Sequence, residues 1–236
     1  MTKPVIYKDL GRISYLEAWD LQTTLFQELI ERKMHNRKCA AEDIKPQQHY
    51  LLFCEHPHVY TLGRNGKEDH LLLDEAGLAA ASASFHKINR GGDITYHGFG
   101  QLVGYPILDL DEFFTDIGRY IRFLEEIIIR LLADYGLKGE RIKGLSGVWL
   151  GVGSSNVRKI CAVGVHLSRW TTMHGFALNV NPDLDYFKHI VPCGIDDKSV
   201  TSLKEELNQT IPLQTIKVQL KQHFKDLFEV HYIENT

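Results

Sequence analysis

The chain has 236 residues, of which 44% are hydrophobic and 24% charged, with a formal net charge of -3. That length can bury a sizeable core, and the proportions are ordinary for a globular protein. Charges of both signs are interspersed, with no single-sign block and no basic stripe, which excludes the electrostatic footprint of a nucleic-acid binder.

No apolar stretch of signal-peptide length opens the chain. The most apolar run, Ile127 to Ala133, is interrupted by Arg130 and is too short to cross a bilayer. We therefore expect no membrane segment and a cytoplasmic protein. No repeat, low-complexity tract or Pro/Gly/Ser-rich linker divides the sequence, so residues 1–236 read as a single domain.

In chain order, Ser14 and Glu17 have capping-box spacing, and Ala18, Leu21, Leu25, Phe26, Leu29 and Ile30 follow at helical spacing to about Lys33. Arg37 to Gln48 is polar, holds Pro46 and reads as a surface loop. Strand-like runs follow at Tyr50–Cys54, Val59–Leu62 and Leu102–Leu108. A second helix is predicted from Asp116 to Tyr135, with Gly136 as its stop. Further strand runs are Gly147–Leu150, Lys159–Leu167 and His174–Val180, and Gly151 to Asn156 reads as a hairpin turn. Ser202 and Glu205 repeat the capping-box spacing. A last helix is expected after Thr215, with Ile216, Leu220, Phe224 and Leu227 inward. Strands cluster centrally without regular βαβ alternation, which predicts an α+β fold with a mixed or antiparallel sheet packed with helices.

Three stretches carry candidate chemistry. Arg90 to Gln101 (RGGDITYHGFGQ) holds four glycines, at 91, 92, 98 and 100, around a short strand-like piece. Glycine lets a ligand approach the main chain. The alternative is a hairpin with two turns, and neither a phosphate loop nor a dinucleotide-binding turn fits. Lys159 opens the apolar run KICAVGVH. It is either a solvated strand end or, if partly buried, a usable proton acceptor. Cys193 lies between Pro192 and Gly194. The other cysteines, Cys39, Cys54 and Cys161, form no C-x-x-C pair with it, and all four read as free thiols. Cys54 and Cys161 sit inside apolar strand runs. Cys193 sits in a sharply turned loop that could present a thiol at a cleft, or it is a buried hydrophobe. The histidines, His56 and His58 included, lack ligand spacing, so no metal is expected.

Taken together the motifs resemble those of the lipoyl(octanoyl) transferases. The segment CEHPHVYTLGR, Cys54 to Arg64, resembles that family's strand-and-loop signature, and Arg90 to Gln101 its glycine-rich substrate loop. Lys159–Gly164, His174–Val180, and Pro192–Ile195 followed by Val200–Leu203 complete the set in family order, so the resemblance spans about residues 50–203. It departs at Phe99 and His58, where the family usually has proline.

The resemblance implies a biotin/lipoate protein ligase-like catalytic domain. It implies transfer of an octanoyl group from octanoyl-acyl carrier protein to a lysine of a lipoyl-carrier domain, as the first step of endogenous protein lipoylation. The acceptors would be lipoyl domains of 2-oxoacid dehydrogenase complexes or the glycine cleavage H protein. It implies Cys193 as the acyl-accepting nucleophile and Lys159 as its partner. It implies Arg90, Gly91, Gly92, Asp93, Ile94, Thr95, Tyr96 and His97 as substrate contacts, with Ala162, Val163, Gly164, Gly175, Phe176 and Ala177. No cofactor is expected, because a thioester donor is already activated. Oxyanion donors are expected from the amides of 175–177 or from Thr95 and His97. Arg64, Lys67, Arg90, Arg158 and Arg169 are possible docking charges for acidic carrier proteins. The rival readings are an ATP-dependent lipoate or octanoate ligase and a non-catalytic acyl- or carrier-binding protein.

Overall fold

A computed structural model describes residues 2–191 and 199–233. The sheet begins with a strand that the hydrophobic pattern did not reveal, β1 (Lys3–Arg12). Helix α1 (Tyr15–Asn36) follows, and the Ser14–Glu17 capping box forms as expected. Then come β2 (His49–Glu55), β3 (Val59–Leu62), a short α2 (Glu75–Ala80), β4 (Ser84–Lys87), β5 (Ile94–His97) and β6 (Gln101–Ile107). Helix α3 (Ile117–Asp134) is capped by Asp116, which accepts from the Arg119 amide. It precedes β7 (Glu140–Ile142), β8 (Leu145–Leu150), β9 (Arg158–Ser168), β10 (Thr171–Asn179) and β11 (Ser199–Val200). Ser202 caps a one-turn helix, α4 (Leu203–Leu207). The last helix, α5 (Leu213–Phe228), starts two residues before the expected point, behind Pro212, and leads into β12 (Val230–Ile233).

The main sheet runs in the order β12-β1-β2-β6-β10-β9-β8-β7, and β11 pairs with β9. The β12–β1, β1–β2 and β11–β9 pairs are parallel; the others are antiparallel. This is the expected α+β class with a mixed sheet. A second sheet, β4-β3-β5, lies beside it.

Strand β2 explains the layering. Its alternating side chains face two cores. Leu52 and Cys54 join Ala18, Leu25 and Leu29 of α1 on one face. Leu51 and Phe53 join Leu124, Ile128, Leu220 and Phe224 of α3 and α5 on the other. Each large apolar side chain buried this way contributes about 1.5–3 kcal/mol. Among the described residues no helix is long and apolar enough to cross a membrane.

Candidate active site

A cavity of about 480 Å³ lies where the small sheet meets β9 and β10. Arg90, Gly91, Gly92, Asp93, Ile94 and Thr95 form one wall, with Lys159, Ala162, Val163, Gly164 and Ala177 opposite. Five segments far apart in sequence thus meet at one concavity, which Ile117, Ile121, Leu145 and Leu167 make largely apolar.

The loop from Arg90 to Asp93 is fixed from several directions. Arg90 is only 8% exposed. Its Nη2 donates to the Thr61 carbonyl at 2.6 Å and to Thr61 Oγ1 at 3.0 Å, and Nη1 donates to the Gly91 carbonyl at 3.1 Å. The Gly91 amide donates to the Val165 carbonyl at 2.9 Å, which lays the loop against β9. A Cβ on Gly164 would stand 3.0 Å from the Gly91 carbonyl oxygen, a tight contact that the loop would have to yield to by a few tenths of an ångström. Asp93 accepts from the Ile94 amide at 2.6 Å. Its other oxygen lies 2.7 Å from His70 Nδ1.

Lys159 lies at the start of β9, half-buried, with its Nζ 4.5 Å from the centroid of the Trp149 ring. An aromatic face favours an ammonium ion in that position. Val200 of β11 is the register partner of Lys159. Cys193 lies outside the described residues. Of the described residues near it in the chain, Ile190 before and Ser199 and Val200 after line the cavity.

A smaller recess of about 50 Å³ shares Arg90, Thr95, Ala162, Val163, Gly164 and Ala177 with the cavity and adds His97, Gly175 and Phe176. Tyr96 lines neither space. It is fully buried with Tyr60, Leu62 and Ile190, and its hydroxyl bonds His58 Nδ1 at 2.8 Å. Gly175 has a packing role as well, because a Cβ there would lie 2.2 Å from the Gly104 carbonyl oxygen across the β10–β6 pair.

The histidines here are held neutral. Burial pushes His97 down to about 3, helped by neighbouring His56, Arg90 and His174. Burial and Arg90 bring His174 to about 3, and burial brings His56 to about 4. The tautomer of His97 follows from its partner. Gln101 Nε2 donates to the Tyr96 carbonyl at 3.2 Å and to Asn179 Oδ1 at 2.9 Å, so Gln101 Oε1 is the acceptor. His97 must then donate to it from Nδ1, at 2.7 Å, leaving Nε2 as an acceptor. His174 has φ 61°, unusual for a side-chain-bearing residue in a strand. Its amide donates to Gln22 Oε1 at 3.0 Å, and its Nε2 lies 2.8 Å from Asn89 Oδ1.

Two expectations need correction. Arg90 is not a docking charge, because its guanidinium is buried and bonded to Thr61 and Gly91. Arg158 is bound through both Nε and Nη2 to the Glu206 carboxylate. Arg64, Lys67 and Arg169 are exposed. Of the oxyanion donors weighed, the 175–177 amides lie on β10, which is paired on both edges, and His97 offers an acceptor at Nε2. The departures at His58 and Phe99 touch each other, their rings 5.2 Å apart. His58 stacks on Tyr186 at 4.1 Å, and the Arg12 guanidinium covers Phe99 at 4.8 Å.

Sequence reasoning passed over Trp149, Asn179 and Gln101 as cavity residues. Asn179 and Gln101 stood inside the motifs already singled out, and their polarity within apolar strands was the available signal. Asn179 Nδ2 donates to the Thr201 carbonyl at 2.9 Å, tying β10 to the start of α4. Among the described residues no group of three or more His, Cys, Asp or Glu could hold a metal ion.

Residues 14–225 match the family described as lipoyl protein ligase A/B catalytic domain. An octanoyltransferase of Cytophaga hutchinsonii is 58% identical over 99% of this chain and 96% of its own length. The chain belongs to the octanoyltransferase family. Another member, the octanoyltransferase of Christiangramia forsetii, is 56% identical over 97% of each chain. The fold of this octanoyltransferase-family chain extends to proteins of low identity. A bipartite lipoate protein ligase from Thermoplasma acidophilum superposes with a TM-score of 0.68 at 17% identity, covering 100% of this chain and 86% of that one. A lipoate-protein ligase A bound with ATP gives 0.67 at 17% identity, covering 100% and 89%.

Proposed function

We propose that the cavity is the acyl site of an octanoyltransferase that works through a thioester on Cys193. The donor is octanoyl-acyl carrier protein and the acceptor a lysine of a lipoyl-carrier domain, with residues 1–236 acting as one catalytic domain in the cytoplasm. The observation that carries this reading is the wall of the cavity. Lys159 lines it, and so do Ile190, three residues before Cys193, and Ser199–Val200 after it. The apolar lining suits a saturated acyl tail. The names of relatives at 56–58% identity point the same way.

The chemistry needs little else. A thiolate attacks the donor thioester and one thioester replaces another, so the step is nearly balanced. A free thiol is only slightly ionised at neutral pH, and a nearby ammonium raises the reactive fraction. In this reading Lys159 supplies that charge, gives its proton to the departing carrier thiolate, and as the neutral amine then takes the proton of the incoming lysine amine. The kinetics are then ping-pong.

Intact-protein mass spectrometry after incubation with octanoyl-acyl carrier protein, without ATP, tests the reading on wild type and Cys193→Ala. A single octanoyl adduct, absent from the variant and discharged by a lipoyl domain, is the expected result. Carrier modification that appears only with free octanoate and ATP would sink it in favour of a ligase. No transfer under either condition would leave a non-catalytic binding protein.

A further inference from the structure

We propose that the small recess reads the far tip of the acyl chain and accepts a hydroxylated tip, so that this protein also transfers ω-hydroxyacyl groups. The inference deepens the octanoyl-transfer reading and rests on it. Reach comes first. From Lys159 to Ala162, β9 advances ~10 Å at about 3.3 Å per residue, close to the span of an extended octanoyl chain. Ala162 lines both the cavity and the recess. A chain whose thioester carbon is held beside Lys159 and whose tail follows β9 therefore ends at the mouth of the recess.

The recess is small, and a few buried polar groups stand among its apolar lining. Its roughly 50 Å³ admit a group of a few heavy atoms, and Tyr15, Arg90, Thr95, His97, Tyr105 and His174 line it. Tyr15 is 4% exposed, and its hydroxyl has no hydrogen-bond partner among the described residues. Its ring stacks parallel to that of His97, with centroids 6.0 Å apart. Tyr15 Oη–H is a donor in search of an acceptor, and neutral His97, bonded through Nδ1, offers Nε2 as an acceptor in search of a donor. A hydroxyl group is both at once. A methyl tip leaves the buried Tyr15 hydroxyl unsatisfied, which is unfavourable. A carboxylate tip would bring an ionised group into a buried site where the Arg90 guanidinium is already bonded to Thr61 and Gly91.

The chemical step is unchanged. The carbon–sulfur bond of the hydroxyacyl thioester breaks and the amide bond to the acceptor lysine forms. The amine proton ends on the leaving thiolate, and the ω-hydroxyl does not react.

The test loads acyl carrier protein with octanoyl, nonanoyl or 8-hydroxyoctanoyl and measures transfer to a lipoyl domain by wild type and Tyr15→Phe. Nonanoyl and 8-hydroxyoctanoyl have the same number of chain atoms, so their ratio isolates polarity from size. In the wild type, kcat/KM for 8-hydroxyoctanoyl should exceed that for nonanoyl by about tenfold, and Tyr15→Phe should lower the ratio by about tenfold. A ratio taken within one variant is insensitive to its folded fraction. If the variant does not fold at all, the wild-type ratio decides. Nonanoyl equal to or better than 8-hydroxyoctanoyl in the wild type, or a ratio unchanged by Tyr15→Phe, overturns the inference. Failure of the wild type to transfer octanoyl itself overturns the underlying transferase reading, a separately recognisable result.

Discussion

The Lys159 ammonium and the Trp149 ring form a cation–π pair at 4.5 Å on the wall of the main cavity. The indole is buried, and its face favours an ammonium ion there. Replacing Lys159 by Met should slow acylation by octanoyl-acyl carrier protein by about 10²–10⁴-fold, read as the single-turnover appearance of the adduct. Iodoacetamide should also alkylate Cys193 more slowly in this variant at neutral pH. Trp149→Leu keeps the charge and loses only the ring, so its deficit should be smaller. An acylation rate unaffected by Lys159→Met would remove Lys159 from the mechanism.

Lys33 tests the stability of the sheet's far end. It was expected only as the end of the first helix, yet it is 5% exposed. Its Nζ lies 2.8 Å from Asp111 Oδ2, pairs with Asp109, and donates to the Arg169 carbonyl at 2.6 Å. Arg169 and Trp170, both with positive φ, form the β9–β10 turn that this lysine ties down. Lys33→Met strands the buried Asp109 carboxylate and should cost about 3–5 kcal/mol. Urea denaturation gives the value, and a loss below about 1 kcal/mol would reduce the pair to the rank of a surface ion pair.

Gly175 separates packing from substrate contact. A Cβ there meets the Gly104 carbonyl oxygen at 2.2 Å and Pro106 Cδ at 2.8 Å. Backbone atoms in the middle of a sheet yield poorly. Gly175→Ala should therefore lose about 1–3 kcal/mol of stability, with a thermal midpoint lower than the wild type's. If the midpoint is unchanged while octanoyl transfer falls, the residue acts on the substrate instead.

The buried histidines set a pH dependence of stability. The folded-state values of His97 and His174, about 3, and of His56, about 4, lie below the ordinary 6.5. Between those limits the unfolded chain binds more protons than the native one, so stability falls as pH falls. The contribution is complete above about 6.5 and is lost toward 3–4, each histidine adding at most about 1.4 kcal/mol for every pH unit. Between pH 6.5 and 5, before most carboxylates titrate, the urea midpoint should drop, and it should drop less in His174→Gln. Equal slopes in the two proteins would mean that His174 titrates in the native state as it does in the unfolded chain.

Features that depend on near neighbours in the chain were legible in the amino-acid sequence. The Ser14–Glu17 box starts α1, the apolar spacing from Ile121 to Tyr135 marks α3, and the Val, Ile and Leu runs at Tyr50–Cys54 and Lys159–Leu167 mark central strands. Caps act within one turn, and helical or strand periodicity repeats every few residues, so both survive in a one-dimensional reading. The motif order was also enough to recognise the family. The rest emerged from contacts between distant parts of the chain. Strand β1 pairs in parallel with β12, more than two hundred residues away, and no local pattern encodes such a partner. Arg90 became a buried brace, and Tyr96 a core residue away from the cavity. Lys33 turned inward because Asp109 and Asp111 wait there. Burial, pairing and the resulting charge states depend on what lies across space, and the chain alternates faces too quickly for sequence position to say which side of the sheet becomes the cavity.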